Sequence, residues 1–454
     1  MKIDNTITYR SLSNDLGKFW EVAAEKAALI ENEYDTSQGA PVFTKKGKYT
    51  TMGWTEWTQG FQYGIPLLVF EATGNDEMLA IGKKNTIQNM AHHISHFGVH
   101  DHGFNNLSTY GNLLRMGNKK LYPCTEGDLN FFRLAIKLSG AVQAKRWTKT
   151  SDGTGFMYSF NGPHSLFIDT MRTCRILMAS YQLGHKMLGE NDVEINMLER
   201  AVEHGLNTAK YAVFYGEGRD QYDERGRVAH ESVFNVNDGN YRCPNSQQGY
   251  SGFTTWTRGL SWAMLGFTEF LEFLKIEKPM AEGIEEAKRI FMEAAKATCD
   301  FYIENTAADG IPYWDTGAPN LHKLGDYTSV DSNPFNDYEP VDSSAAAIGA
   351  QGLLRLSNLL KKTSPDEAKK YEQAGLTTMK TLLSDTYLSS DKAHQGILLH
   401  ANYHCPNGWD YVPEGSKIPN GESCMWGDYH LVELCLYAHK VLNNHYYTFF
   451  NGIN

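Results

Sequence analysis

Residues 343–360 read SSAAAIGAQGLLRLSNLL, directly after Asp342. Wound as a helix, Ala345, Ala346, Ala347 and Ile348 already face four directions, and Ala350, Leu353, Leu354 and Leu356 continue round the cylinder. A helix that is apolar most of the way round is buried on more than one side. Residues 281–304 behave differently. There Ile284, Ala287, Phe291, Ala294, Thr298 and Phe301 recur at steps of three and four and mark a single face. Helical periodicity of either kind covers about 17–33, 54–73, 77–96, 103–116, 128–145, 166–187, 193–214, 255–275, 281–304, 343–361, 366–384 and 426–442. Strand alternation is nearly absent. The pattern predicts twelve helices joined by loops rich in Gly, Pro, Asn and Asp.

Residues of functional type fall on this frame with a rough period. Trp54, Asp101, Asp169, Arg258, Asp342 and Asp428 each sit at or just before an alternate helix. Six helix pairs with one such entry residue apiece predict an all-α fold, a closed α/α six-fold barrel whose inner helices point their starts at one shared pocket. The repeat is structural only, because no self-similarity at a fixed period is visible. A chain of 454 residues would ordinarily make two or three domains. Here no low-complexity linker or charge block divides it, so one domain spanning 1–454 is expected.

Composition excludes several classes. The net charge of -11 argues against nucleic acid and against anionic membranes as partners. No apolar run approaches the roughly 20 residues needed to span a bilayer. The opening Met1-Lys2-Ile3-Asp4-Asn5-Thr6 has no apolar leader core, so the expected location is periplasmic if a signal peptide has been trimmed and cytoplasmic otherwise. Seven cysteines, an odd number without a CxxC pair, form neither a disulfide framework nor a zinc site. His92, His93 and His96 lie at helical spacing but lack the Glu of a His-Glu-x-x-His site, and the acidic loop from Asp326 to Glu339 lacks the EF-hand spacing. No metal and no cofactor are expected. The 22 Phe, 25 Tyr and 9 Trp are ample for a large core, and Tyr and Trp exceed what packing requires and suit the apolar faces of sugar rings.

Two short acidic motifs carry the chemistry: Val99-His100-Asp101-His102-Gly103-Phe104 and Phe167-Ile168-Asp169-Thr170-Met171. Each places one Asp among apolar residues at a helix entrance, where the dipole and free N–H groups favour a carboxylate. The plain alternative is a pair of N-caps. Two carboxylates whose surroundings push their proton affinities apart are what acid/base work on a sugar needs.

At these positions the chain resembles the unsaturated glucuronyl hydrolases, glycoside hydrolase family 88. The resemblance runs from about His100 to Tyr429. His100-Asp101-His102-Gly103-Phe104 is similar to the family segment that holds one essential aspartate, and Ile168-Asp169-Thr170-Met171 to the segment that holds the acid/base. Gln248-Gly249-Tyr250 followed by Trp256-Thr257-Arg258-Gly259 and Trp262 resembles the substrate-binding stretch. His230 falls where the family has an active-site His. Asp342-Ser343-Ser344-Ala345-Ala346 and Trp426-Gly427-Asp428-Tyr429 resemble two late signatures. Residues 153–162, 326–337 and 401–423 depart from the pattern. The sister family 105, acting on unsaturated rhamnogalacturonan ends, shares the fold and some of these features.

The resemblance implies an α/α barrel that removes a 4,5-unsaturated uronic acid from the non-reducing end of lyase-generated oligosaccharides. Asp169 would be the acid/base, with its affinity for protons raised by burial and by Asp101. Asp101 would hold the ring hydroxyls and tune the pair. Arg258 would read the uronate carboxylate with its planar fork, although an ion pair with Asp342 or Asp428 competes for it. His230, Gln248, Trp262 and, more weakly, Trp147 and Trp54 complete the substrate-binding set. Other readings of the same residues are a sugar epimerase or inverting glycosidase on this scaffold, or a module that binds acidic oligosaccharides without turnover. Oligomeric state is left open.

Overall fold

The computed structural model describes residues 1–53 and 56–454, with Glu56 described by its backbone alone. Among these residues helix dominates. Fifteen α-helical segments reduce to twelve helices. One segment, α4 (Ala91–Ile94), is a single turn. α5 (His102–Asn106) continues through a π-turn at Leu107–Gly111 into α6 (Asn112–Asn118), and α8 (Thr170–Thr173) continues past Cys174 into α9 (Arg175–Gln182). The others are α1 (Ser13–Glu33), α2 (Gln59–Thr73), α3 (Asp76–Asn89), α7 (Glu126–Lys145), α10 (Met197–Tyr211), α11 (Thr257–Glu277), α12 (Ile284–Glu304), α13 (Ser343–Leu360), α14 (Pro365–Leu382) and α15 (Met425–Leu442).

The two kinds of periodicity sort these helices into two layers. α2, α5–α6, α8–α9, α11, α13 and α15 are buried nearly all round. Each packs on the next, and α15 returns to α2, which closes the ring. α1, α3, α7, α10, α12 and α14 lie outside and bury one face each. In α1 that face is Leu16, Phe19, Trp20, Ala23, Ala27 and Ile30. Close inner packing needs small residues at the seams. A Cβ on Gly103 would meet the Thr173 carbonyl oxygen at 2.2 Å, and one on Gly352 would meet Met264 at 2.8 Å. Three of the outer helices begin with side-chain caps: Asn75 on α3, the Thr125–Asp128 capping box on α7 and Asn196 on α10.

Nine short strands form antiparallel pairs in the loops: β1 (Phe43–Lys45) with β2 (Lys48–Thr50), β3 (Trp147–Lys149) with β4 (Gly155–Met157), β6 (Lys186–Leu188) with β7 (Glu194–Asn196), and the sheet β5 (Ser165–Phe167), β8 (Glu231–Phe234), β9 (Tyr241–Asn245). They correct three expected boundaries. Residues 165–167 are strand because they pair with 231–233, so the helix there begins at Thr170. Residues 186–188 and 194–196 form a hairpin rather than extending the helices on either side. No helix of the described residues is long and apolar enough to cross a membrane.

The inner layer hides charge as well as apolar surface. Below the mouth, Arg172 pairs with Glu433 (2.7 Å) and Glu269 (3.0 Å), Arg175 with Glu269 (3.3 Å), Arg355 with Glu272 (2.7 Å) and Arg115 with Glu71 (2.8 Å). Every one of the six inner helices contributes to these pairs, and all the groups are buried. Such pairs add little net stability over an apolar core, but removing one partner strands the other in low dielectric.

Candidate active site

Asp101 and Asp169 stand at the entrances of α5 and α8 yet cap neither. Neither side chain makes an N-cap hydrogen bond to its helix. Asp342, at the same place on α13, does cap, accepting from the N–H of Ser344 and Ala345. The plain reading of the two motifs as N-caps therefore fails for the first pair. Both carboxylates instead line a cavity of about 440 Å³ at the mouth of the ring, a size suited to a small organic ligand.

A histidine the motif contained, but that was not counted as a site residue, joins them. His100 Nε2 lies 3.2 Å from Asp169 Oδ1 and 3.9 Å from Asp101 Oδ1. Burial opposes charge on the imidazole, but the two carboxylates outweigh it and hold its proton affinity above the ordinary histidine value. The same cation decides between the aspartates. Burial pushes both up. At Asp169 this is overcome by the charge and hydrogen bond of His100, and the group ends below the usual carboxylate range. At Asp101 burial, aided by Asp169, prevails over His100, and the group ends above it. The expected order is thus reversed, because Asp169 makes the hydrogen bond to His100 and Asp101 only faces it.

The sheet explains how Asp169 is placed. β5 ends at Phe167 opposite Glu231, and the Ile168 N–H donates to the carbonyl of His230 (3.0 Å), so the chain turns into α8 beside His230. His230 itself stands behind the cavity wall rather than on it. Its ring is packed between Phe167 and Trp256, with centroids 4.5 Å away on each side. Its Nδ1 accepts from the N–H groups of Gln247 (3.1 Å) and Gln248 (3.3 Å). Burial holds it neutral, down to about 4, so Nε2 carries the proton. That N–H has no hydrogen-bond partner among the described residues. In this structure His230 shapes the 247–248 turn that does line the cavity.

Arg258 is on the wall, but its fork is already filled. Nη1 donates to Asp342 Oδ2 (2.8 Å) and to the carbonyl of Asn402, and Nη2 donates to Gln248 Oε1 (2.7 Å) and the carbonyl of Tyr403 (2.8 Å). The guanidinium also lies over Trp256 (4.5 Å) and Trp426 (4.9 Å). The expected bidentate clamp on a substrate carboxylate is therefore corrected: all four terminal hydrogens are spent on the protein. The competing ion pair with Asp342 is the one formed.

Gln248 and Trp262 line the cavity as expected. Trp262 is its buried floor, packed on Phe104 (4.9 Å) and His430 (4.9 Å). Trp147 does not reach it. It sits in β3 under the Arg200 guanidinium, 4.2 Å from the ring centre, because the β3–β4 hairpin turns it toward α10. Trp54 lies outside the described residues. Asp428 is inside the protein, accepting from Tyr49 Oη (2.6 Å) and from the N–H groups of Ile397 (2.9 Å) and Leu398 (2.8 Å), and burial pushes it up to about 7. The His93 imidazole bonds Gln59 (2.9 Å) and Asn105 (3.1 Å), as a packed core histidine does. The wall also carries Trp57, Phe160, Tyr403, His404, Asn407 and Trp409, none of them in the expected substrate-binding set. Four of these belong to the 401–423 segment that departs from the family pattern, and their side-chain directions have no local signature.

The cavity thus offers two carboxylates of opposed proton affinity around one imidazole of raised proton affinity, with an aromatic surround. Comparison with known proteins follows this geometry. No family model matches the chain. It is 25% identical over 409 residues to the unsaturated glucuronyl hydrolase of Bacillus sp. strain GL1, covering 88% of this chain and 90% of that protein. It is 24% identical over 435 residues to the unsaturated chondroitin disaccharide hydrolase of Streptococcus pyogenes serotype M1, covering 94% and 92%. Among solved structures, unsaturated glucuronyl hydrolase from Streptococcus agalactiae superposes with a TM-score of 0.71 at 21% identity, covering 97% of this chain and 94% of that one. These findings bear out the resemblance read from the motifs and the α/α-barrel fold.

Proposed function

We propose that this chain hydrolyses 4,5-unsaturated uronic acid from the non-reducing end of oligosaccharides, acting as one α/α-barrel catalytic unit. The carrying observation is the Asp101–His100–Asp169 cluster on the cavity wall. The names of the relatives, glucuronyl and chondroitin disaccharide hydrolases of unsaturated substrates, agree with it.

The unsaturated ring is an enol ether. A proton added at C4 leaves an oxocarbenium-like cation at C5, water adds there, and the hemiketal opens to release a keto sugar. Asp169 serves as acid and base in turn. In the free protein its proton rests on His100. A bound sugar that excludes water from Asp169 raises its proton affinity, and the proton crosses the 3.2 Å hydrogen bond. Asp169 then protonates C4 and takes a proton from the attacking water, and return of that proton to His100 restores the starting state. Asp101, with its raised affinity, holds the ring hydroxyls. His100 and Asp169 titrate as a pair in this scheme.

The raised affinity of Asp101 supports a second assignment, in which Asp101 delivers the proton and Asp169 activates water. The test is loss of ultraviolet absorbance of the conjugated enoate in lyase-generated disaccharides. Turnover by the native protein with loss of the alkaline limb of the pH–rate profile in Asp101→Asn favours the second assignment. Retention of that limb favours the first. A protein that leaves the enoate intact on every such disaccharide lacks the activity.

A further inference from the structure

Glu231, the first residue of β8, is a buried acid that does not line the cavity. Its Oε1 accepts from the Ser165 hydroxyl and from the Asn161 side-chain amide (3.0 Å), and its Oε2 accepts from the Asn245 side-chain amide (2.6 Å). All three donors are neutral. They come from three pieces of chain: Asn161 from the loop between β4 and β5, Ser165 from β5 and Asn245 from the end of β9. The strands do not need these bonds to pair, because the backbone register Phe167–Glu231–Asn245 already joins them. Burying an acid is costly unless its oxygens are bonded, so a buried Glu here is explained by what it holds.

What it holds lies on both flanks of Asp169. On one flank is the loop 158–165. Arg146 donates to its carbonyls at Tyr158 (3.1 Å) and Ser159 (2.6 Å), and Glu231 ties it at Asn161 and Ser165. Between these anchors Phe160 lies over the His100 ring, with centroids 5.9 Å and planes 26° apart, and meets Phe167 edge-on at 5.4 Å. Phe160 is 38% exposed and borders the cavity, whereas His100 beneath it is 1% exposed. A ring left so far in solvent gains too little from burial to fix its own place. On the other flank, Asn245 leads into Gln247 and Gln248 on the cavity wall. If Phe160 moved away, water would reach His100 and its 3.2 Å hydrogen bond to Asp169, and the exclusion of water is part of what sets both proton affinities.

We infer that Glu231 is a positioning residue: through Asn161 it seats Phe160 over His100 and keeps water from the proton path between His100 and Asp169. The inference rests on the unsaturated-uronate reading of the site. Asn161→Ala tests it with the buried acid left in place, using loss of enoate absorbance from an unsaturated disaccharide, per folded molecule. The expected result is a fall in kcat of about ten-fold with KM changed by less than about two-fold. In the Phe160→Ala background the seat is already empty, so adding Asn161→Ala should lower kcat by less than about two-fold. Glu231→Ala should cost at least as much as Asn161→Ala, and Glu231→Gln, which keeps one accepting oxygen, should recover most of that loss. If the Glu231 variants fail to fold, the Asn161 and Phe160 variants decide. A lowered melting temperature with native kcat in Asn161→Ala, a change confined to KM, or the full ten-fold cost persisting in the Phe160→Ala background overturns the inference and leaves the proposed activity standing. Absence of absorbance loss by the native protein on every such disaccharide overturns the activity and the inference with it.

Discussion

The mouth of the barrel and its interior are built from the same residue types but finish them differently. In the interior, Arg355 and Glu272, Arg172 and Glu433, and Arg115 and Glu71 meet as direct ion pairs with no cavity between them. At the mouth, Asp101 and Asp169 face open space and share one imidazole. The separation follows from helix geometry. At about 1.5 Å per residue, Arg355 lies roughly 20 Å along α13 from Asp342 at its entrance. A buried carboxylate in this protein is thus a chemical group only where its partners do not exhaust it. Arg258 shows the same rule from the other side: it borders the cavity, but its donors are consumed.

The contrast is broken most severely at the mouth. Asp169→Asn preserves size and much of the hydrogen bonding but can neither give nor take the proton. The turnover number on the best unsaturated disaccharide should fall by about 10²–10⁴-fold with little change in thermal stability, read by enoate absorbance and a melting curve. Near-native turnover would move the acid/base role to Asp101.

In the interior the effect should reverse. Arg355→Met leaves Glu272 buried without its 2.7 Å partner, which should cost about 3–5 kcal/mol in denaturant unfolding. Turnover per folded molecule should stay close to native, because the site lies at the other end of the helix. A large loss of activity in the folded variant would show that the two regions are coupled.

Arg258→Lys tests the residue between them. Lys offers three donors where four are used. We expect about a ten-fold loss in kcat/KM, equal on the unsaturated uronate and on its methyl ester, since the chain at Asn402 and Tyr403 is loosened for both. A loss confined to the acid would mean that the fork opens to receive the carboxylate after all.

The smallest effect is on pH dependence. Asp428 has its proton affinity raised to about 7 by burial. The folded state therefore holds this proton in a range where the unfolded chain, with its Asp near the ordinary value, has lost it. The stabilisation is complete below the unfolded value and fades as pH rises through about 7. The melting temperature of the native protein relative to Asp428→Asn should decline between pH 5 and pH 8. A difference that is flat across that range would show that Asp428 is ionised in the fold.

The helices and their ring were legible because burial leaves a periodic trace along the chain. The all-round apolar run at 343–360 and the single face of 284–301 separate inner from outer helices before any coordinates are known. Asp101, Asp169, Gln248 and Trp262 were legible as mouth residues because they sit at or near the starts of inner helices, and the start of a helix is a local feature. Trp147 was misplaced because a short hairpin, rather than a helix start, sets its direction. For Arg258 the Asp342 pair was foreseen as a competitor, but the choice between it and a ligand clamp, and the backbone partners, were beyond reach. Asp342 is 84 positions away and the carbonyls of Asn402 and Tyr403 are 144 and 145 away, in a segment without periodicity.

What the amino-acid sequence alone determined is therefore the part of the protein governed by local pattern: twelve helices, two layers, and a set of polar residues at one end. The tertiary structure decided which of those residues remain chemically available. His100 donates to Asp169 and only faces Asp101, and that sub-ångström difference in approach reverses the order of their proton affinities. Electrostatic and hydrogen-bond energies depend on distances between groups remote in sequence, in a medium whose dielectric is set by the packing itself.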